Sequence, residues 1–353
     1  MSKKQFSMQK YWDDLAANHK PEMTFEGKSK SDFELWYDKA YEKYCELLGM
    51  GKIKKVPLEA EIEDTFEKDG LIYERVVFDC DDNMSVPCYV IRPKDMKRNK
   101  KNAAIVCSHG HGPWGKFPVA GITDYPGTDK QAIIENIKRC NYNYGEQMAH
   151  HGFMTICPDL RGFGERRDGL GPIKPFPGRD SCNINFLKGA MFGVYTLMLN
   201  IHDMGCCIDY LQSREEIDPE RIGMMGLSQG GTMTCFTSAF DKRIKCADII
   251  CYGSPFKYFA IGNANWCGSQ MVPEIYKYFD TFDIAGMIAP RPLLMEIGTR
   301  DSCFSYETVK TGFDNVKRIY TAAEAQKDLY SDIFDGEHSF GGNLAPEFFK
   351  KYL

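Results

Sequence analysis

Three residues of this sequence have the types and the order for nucleophilic chemistry: Ser228, Asp301 and His338. Ser228 lies in Gly226-Leu227-Ser228-Gln229-Gly230, with a glycine two positions away on either side. The apolar run Ile222 to Met225 precedes it as a short buried strand, and from Gln229 on the sequence reads as a helix. A strand that becomes a helix within three residues forces the middle residue into a strained backbone conformation. Side chains two positions either side would then collide, which glycine avoids. The serine hydroxyl is left standing at the C-terminal edge of a sheet, with a helix N-terminus behind it. A Gly-rich strand–helix turn without chemistry has the same five residues, so the rest of the chain must decide.

A serine hydroxyl needs a base, and the base needs an orienting acid. In a strand–elbow–helix arrangement the order is Ser, acid, His, with the last two on loops after later strands. His338 is one of seven histidines and the only one C-terminal to Ser228; it follows the strand-like run Leu329 to Phe334 and the turn Asp335-Gly336-Glu337. Asp301 closes Gly298-Thr299-Arg300-Asp301, directly after the apolar run Leu293 to Ile297. Glu296 and Asp332 lie inside strands, and Asp335 precedes the histidine loop, so the strand-end position favours Asp301. Two backbone N–H groups are expected to hold the oxyanion: that of Gln229 at the helix start, and that of His111 in the loop His109-Gly110-His111-Gly112. The spacing of His109 and His111 also suits a metal pair. No third ligand cluster accompanies it, so the backbone role is favoured, and neither a metal nor a cofactor is expected. The Asp, Arg and Glu of Asp159-Leu160-Arg161-Gly162-Phe163-Gly164-Glu165-Arg166 read as an ion-paired loop that shapes the floor of the site.

The elements that must position these residues follow from periodicity. Residues 1–58 read as a helical extension. Phe33 to Met50 carries an aromatic stripe at helical spacing, ended by Gly51 as a C-cap and packed on the main domain. Ala60 to Phe66, Leu71 to Phe78 and Val86 to Ile91 form an antiparallel meander around two turn sequences. Then apolar runs at Ala103 to Ser108, Phe153 to Cys157, Ile222 to Met225, Ala247 to Tyr252, Leu293 to Ile297 and Leu329 to Phe334 alternate with helices, among them one long helix over Phe186 to Ser213. This pattern predicts an α/β fold for residues 59–353: a mostly parallel, doubly wound sheet with an antiparallel N-terminal edge. Two stretches, 110–142 and 254–283, are too long to be plain connections and are expected to wall or lid a pocket. Trp114, Trp266 and Phe256 are its expected lining, although aromatic residues in such an insertion also build its own small core.

Composition excludes several classes. With 353 residues, 43% hydrophobic and 13% aromatic, the chain can bury a sizeable core. A net charge of −5 argues against nucleic acid as the main partner, and the basic run Lys94 to Lys101 reads as a solvated turn. The N-terminus lacks the apolar core of a secretory signal, and the longest apolar run, Gly189 to Leu199, is too short to span a bilayer. A soluble cytoplasmic protein without a membrane partner is therefore expected. The 14 cysteines are scattered and none forms C-x-x-C, which reads as buried thiols in a reducing compartment, neither disulfides nor a zinc site.

The motifs together resemble the α/β-hydrolase superfamily, from about Ala60 to the C-terminus. Within it the chain is most similar to bacterial acetyl xylan esterase and dienelactone hydrolase-like serine esterases. The likeness is carried by His109-Gly-His-Gly112, Pro158-Asp-Leu-Arg-Gly-Phe-Gly164, Gly226-Leu-Ser-Gln-Gly-Gly231, Ala289-Pro-Arg-Pro-Leu-Leu294, Gly298-Thr-Arg-Asp301 and Gly336-Glu-His338. It implies a Ser228–Asp301–His338 triad, the assignment the residues suggest unaided. The chain departs from the acetyl xylan esterase pattern at Phe163, where that family has Gln, and at Ser339, where it has Glu. Dienelactone hydrolases proper use a Cys nucleophile. A serine carboxylic-ester hydrolase is expected, with a small-molecule ester such as an acetylated sugar as substrate. The alternatives are an amidase or peptidase of the prolyl-oligopeptidase type and a non-catalytic ligand-binding relative. Only 102 residues precede Ala103, too few for the propeller of the former, and the latter typically loses the Ser or His that this chain keeps. A homo-oligomer is left open.

Overall fold

Two turns start the sheet. Lys68-Asp69-Gly70 reverses the chain with Asp69 at φ 50° and Gly70 at φ 79°, and Asp81-Asp82-Asn83 reverses it again. They join β1 (Glu61–Lys68), β2 (Leu71–Asp81) and β3 (Met84–Pro93) into an antiparallel meander. Six further strands are mutually parallel: β4 (Asn102–Ser108), β5 (Met154–Pro158), β6 (Ile217–Leu227), β7 (Cys246–Ile250), β8 (Leu293–Gly298) and β9 (Leu329–Phe334). The order across the sheet is β1-β2-β3-β5-β4-β6-β7-β8-β9, with β3 antiparallel to β5. This is the α/β arrangement expected from the sequence. The computed structural model describes residues 4–97, 99–124, 127–169, 180–263 and 266–353; residues 125–126 and 264–265 of the two long insertions lie outside these.

Each central strand feeds two cores, one on each face of the sheet. In β4, Ala104 and Val106 enter one cluster while Ala103, Ile105 and Cys107 enter the other. That alternation of period two is why a doubly wound strand reads as one unbroken apolar run.

The N-terminal segment joins the larger core. Helix Lys30–Leu48 opens with a capping box between Ser29 and Asp32 and buries Phe33, Ala40, Tyr44 and Leu48. Its C-cap is Gly49 in the left-handed region at φ 63°, two residues before the expected Gly51. Tyr44 Oη donates to the Phe236 carbonyl at 2.8 Å and Tyr41 Oη to that of Phe240 at 2.9 Å. The extension is thereby bonded to helix Gln229–Phe240, which begins next to Ser228.

The single helix expected over Phe186 to Ser213 is two helices, Ser181–Phe192 and Thr196–Ser213, at 92° to each other. Gly193 caps the first at φ 65°. A Cβ on Gly189 would lie 2.0 Å from the Val194 carbonyl oxygen, so glycine there allows the sharp return. Continuous apolar composition hid the break. Among the described residues no single helix is long and apolar enough to cross a membrane; this bent pair passes that test only taken together.

The loop after β5 is built on charge. The fully buried Lys116 ammonium lies 2.6 Å from the fully buried Asp159 carboxylate and also contacts Glu165. Asp159 accepts from the N–H groups of Lys116 at 2.8 Å and Glu165 at 3.0 Å. Arg161 bridges Asp203 and Asp81, each at 2.7 Å, and Arg166 reaches Asp203 at 2.8 Å. The loop is therefore ion-paired, with partners from β2 and helix Thr196–Ser213. Removing one member of a buried pair strands the other charge. Lys116→Met is expected to lower the unfolding free energy by about 3–5 kcal/mol in urea denaturation. A loss below roughly 1 kcal/mol would show that Asp159 is compensated without the ammonium.

Candidate active site

Ser228 has φ 63° and ψ −116°, a region that L-residues seldom occupy. Its N–H donates to the Ile250 carbonyl of β7 at 2.9 Å, and its own carbonyl accepts from Thr232 N–H at 2.9 Å in the first turn of the helix. The flanking glycines are sterically required. A Cβ on Gly226 would lie 2.5 Å from the Gly230 carbonyl oxygen, and one on Gly230 would lie 2.1 Å from the carbonyl oxygen of Ser108 in β4. The sequence motif is thus a real elbow between β6 and the helix.

The loop after β4 lies on this elbow. Gly110 N–H donates to Tyr142 Oη at 2.7 Å, and Tyr144 Oη donates to the Ser108 carbonyl at 2.5 Å. His109 is buried. Its Nε2 accepts from Leu160 N–H at 3.0 Å, so its proton sits on Nδ1, 2.7 Å from the Gly110 carbonyl. Burial lowers its pKa and keeps it neutral. Both ring nitrogens being engaged, His109 does not pair with His111 on a metal.

Asp301 and His338 leave the ends of β8 and β9. Asp301 Oδ2 lies 2.8 Å from His338 Nδ1, while Oδ1 accepts from the N–H groups of Cys303 at 2.7 Å and Phe304 at 3.0 Å. Burial works to raise the pKa of this carboxyl. The His338 contact and the two N–H donors outweigh it, holding the group below the usual carboxylate range. The rival acids are engaged elsewhere. Glu296 accepts from Gly341 N–H at 2.7 Å, Asp332 from Asn343 N–H at 3.0 Å, and Asp335 pairs with Arg300 at 2.8 Å. The Phe304 ring stacks on His338 with centroids 5.9 Å apart.

Ser228 and His338 face one cavity of about 350 Å³, shared with His111, Trp266, Cys267 and Asp180. Gln229 is buried at the base of the elbow, its Nε2 donating to Ser269 Oγ at 2.9 Å. Trp266 lines this cavity. Trp114 lines a neighbouring cavity of about 540 Å³, which meets the first at His111. Phe256 does not line the cavity: it is 1% exposed and packs on Phe259, Trp266 and Tyr276 within the aromatic insertion's own core. Its N–H is bound to Asp280, which holds the ring inward.

Sequence reasoning missed Tyr142, Tyr144, Phe304 and a cluster of His111, Cys182 and Cys267. The tyrosines and Phe304 carry no motif, and the cluster joins residues from three distant segments. His111 Nε2 lies 3.5 Å from Cys182 Sγ, and Cys267 Sγ 2.8 Å from Ser269 Oγ. The Cys182 contact first, then those of His111 and Ser269, hold the Cys267 thiol down to about 5 against the effect of burial.

The Acetyl xylan esterase (AXE1) family matches this chain over residues 149–285. YtaP of Bacillus subtilis (strain 168), provisionally named a hydrolase, is 28% identical over 274 residues, 76% of this chain and 82% of YtaP. Among solved structures, BF1801 of Bacteroides fragilis NCTC 9343, provisionally named an acetyl xylan esterase, superposes with a TM-score of 0.76 at 16% identity, over 94% of this chain and 82% of that one. Acetyl xylan esterase 1 from Thermoanaerobacterium sp. JW/SL YS485 gives 0.56 at 17% identity over 99% of both chains. The glucuronoyl esterase from Solibacter usitatus gives 0.61 at 14% identity, over 87% of this chain and 91% of that one. The structural likeness is one of fold, the α/β-hydrolase fold.

The loop bearing His338 is tied to the sheet through Glu296, whose carboxyl is pushed up to about 8 by burial and then by the Asp332 charge. Unfolded, this group ionises near pH 4.3, so it stays protonated longer in the folded state. The stability it contributes at low pH is lost as pH rises through about 8. Glu296→Gln removes that titration. The stability of the variant relative to wild type, from urea denaturation, is expected to climb between about pH 5 and pH 8. A difference that stays flat across this window would show that Glu296 is ionised throughout.

Proposed function

We propose that this chain is a serine carboxylic-ester hydrolase that acts through an acyl-enzyme at Ser228 on a small ester, an acetylated sugar being the candidate substrate. The observation that carries this reading is the 2.8 Å contact of the buried Asp301 with Nδ1 of His338, a histidine that lines one cavity with Ser228. An ionised Asp301 fixes the proton on Nδ1 and leaves Nε2 as the base.

Ser228 Oγ attacks the ester carbonyl and His338 Nε2 takes the hydroxyl proton. The carbonyl electrons move to oxygen, and the oxyanion is received by the N–H groups of Gln229 and His111. The first N–H of a helix has no partner within the helix, which suits Gln229 to this task. The tetrahedral adduct collapses, its C–O bond breaks, and His338 hands the proton to the departing alcohol. Water, deprotonated by the same histidine, then cleaves the acyl–serine ester and restores the hydroxyl. Trp266 offers a flat apolar face on the cavity wall, suited to a sugar ring.

The test is hydrolysis of p-nitrophenyl acetate. Ser228→Ala is expected to lower kcat/KM by about 10⁴-fold or more, and Asp301→Asn by about 10³–10⁴-fold through the wrong histidine tautomer. Near wild-type activity in Ser228→Ala would overturn the reading. A panel of acetylated sugars against longer acyl esters then identifies the substrate: preference for the longer chains would remove acetylated sugars as candidates.

A further inference from the structure

The cavity that His338 lines carries a second chemistry-bearing group. His111 comes from the loop after β4, Cys182 from the first turn of helix Ser181–Phe192, and Cys267 from the segment between 266 and 270. Their ligating atoms all lie within 4.8 Å of one another. We propose that His111, Cys182 and Cys267 form a three-ligand site for a thiophilic divalent cation of the zinc type, in the wall of the cavity that holds Ser228.

The geometry suits tetrahedral coordination. Zinc–sulfur bonds of about 2.3 Å and zinc–nitrogen bonds of about 2.0–2.1 Å imply a nitrogen–sulfur edge of about 3.5 Å. The His111 Nε2 to Cys182 Sγ separation is 3.5 Å. Two soft thiol ligands and an imidazole are the donor set that zinc selects over magnesium or calcium.

The scaffold around the cluster is set. Gly268 N–H donates to Asn183 Oδ1 at 2.9 Å, and a Cβ on Gly268 would lie 2.3 Å from Phe186 Cβ. These contacts press the Cys267 segment onto the helix that carries Cys182. Behind Cys267, Ser269 Oγ lies 2.8 Å from its sulfur and is itself held by Gln229 Nε2 at 2.9 Å. Such outer contacts orient first-shell ligands. His111 and Cys267 both line the cavity, and zinc sites with three protein ligands keep the fourth position for water or substrate. A bound cation would staple together the oxyanion loop, the helix and the aromatic insertion over Ser228. A Cys182–Cys267 disulfide is the competing arrangement. It would bring the sulfurs to about 2.05 Å and give the imidazole beside them no part to play.

Cation binding does not depend on the hydrolase reading, and its test need not measure hydrolysis. The full-length protein, reduced and stripped of metal, is titrated with Co²⁺ and then with Zn²⁺. One equivalent of Co²⁺ is expected to give thiolate-to-cobalt charge-transfer absorption that Zn²⁺ abolishes. Cys182→Ser and Cys267→Ser should lose the band. His111→Ala, at an exposed side chain, should keep the circular dichroism of the wild type and bind at least about 10–100-fold more weakly. It decides the matter if the cysteine variants fail to fold. Wild type without the band, an undiminished band in His111→Ala, or a Cys182–Cys267 crosslink found by mass spectrometry in place of metal would overturn the proposal.

Discussion

The backbone of Ser228 is held where an L-residue does not willingly sit. A positive φ of this kind costs on the order of 1–3 kcal/mol and persists only when its surroundings over-determine it. Here the surroundings are three strands. β6 delivers the residue, β7 accepts its N–H at the Ile250 carbonyl, and β4 presses the Ser108 carbonyl against Gly230 so closely that no side chain fits. The helix behind it is braced in turn by Tyr41 and Tyr44 from the N-terminal extension. Tyr142 and Tyr144 fasten the β4 loop over the same corner. Much of the molecule thus converges on one dihedral angle, and through it on where one hydroxyl stands.

Asp301 and His338 depend on a second constraint, the ends of β8 and β9. Neighbouring parallel strands end at one edge of the sheet, so residues 37 apart in sequence meet in one hydrogen bond. The carboxyls of Glu296 and Asp332, buried in those strands, hold the backbone of residues 341–343 just beyond His338. Asp301 and Glu296 divide their work by environment. Asp301 has a histidine and two N–H donors and stays ionised; Glu296, with less compensation and a like charge beside it, holds its proton.

Much of this was legible in the sequence because the relevant signals are local. Glycine spacing marks the elbow, apolar runs mark the strands, and an acid or histidine just past a run marks a loop at the sheet edge. The nine strands and the Asp301–His338 contact follow from such signals. The errors share a cause. The break at Gly193 lies in an apolar stretch that continues through it, so periodicity could not see it. Phe256 and Trp266 are both aromatic residues of one insertion, and only packing sends one to the core and the other to the cavity. The same holds for the His111, Cys182 and Cys267 group. Its members are separated by 71 residues or more, so no ligand spacing of a metal motif appears. Three elements ending at one cavity bring them together.

The most direct test of the central claim, that Ser228 is the activated nucleophile, is its reaction with a fluorophosphonate probe followed by peptide mass spectrometry. A single adduct on the peptide that contains Ser228 is expected, formed far more slowly in His338→Ala. An adduct confined to another residue, or an unmodified Ser228 after prolonged exposure of the folded protein, would contradict it.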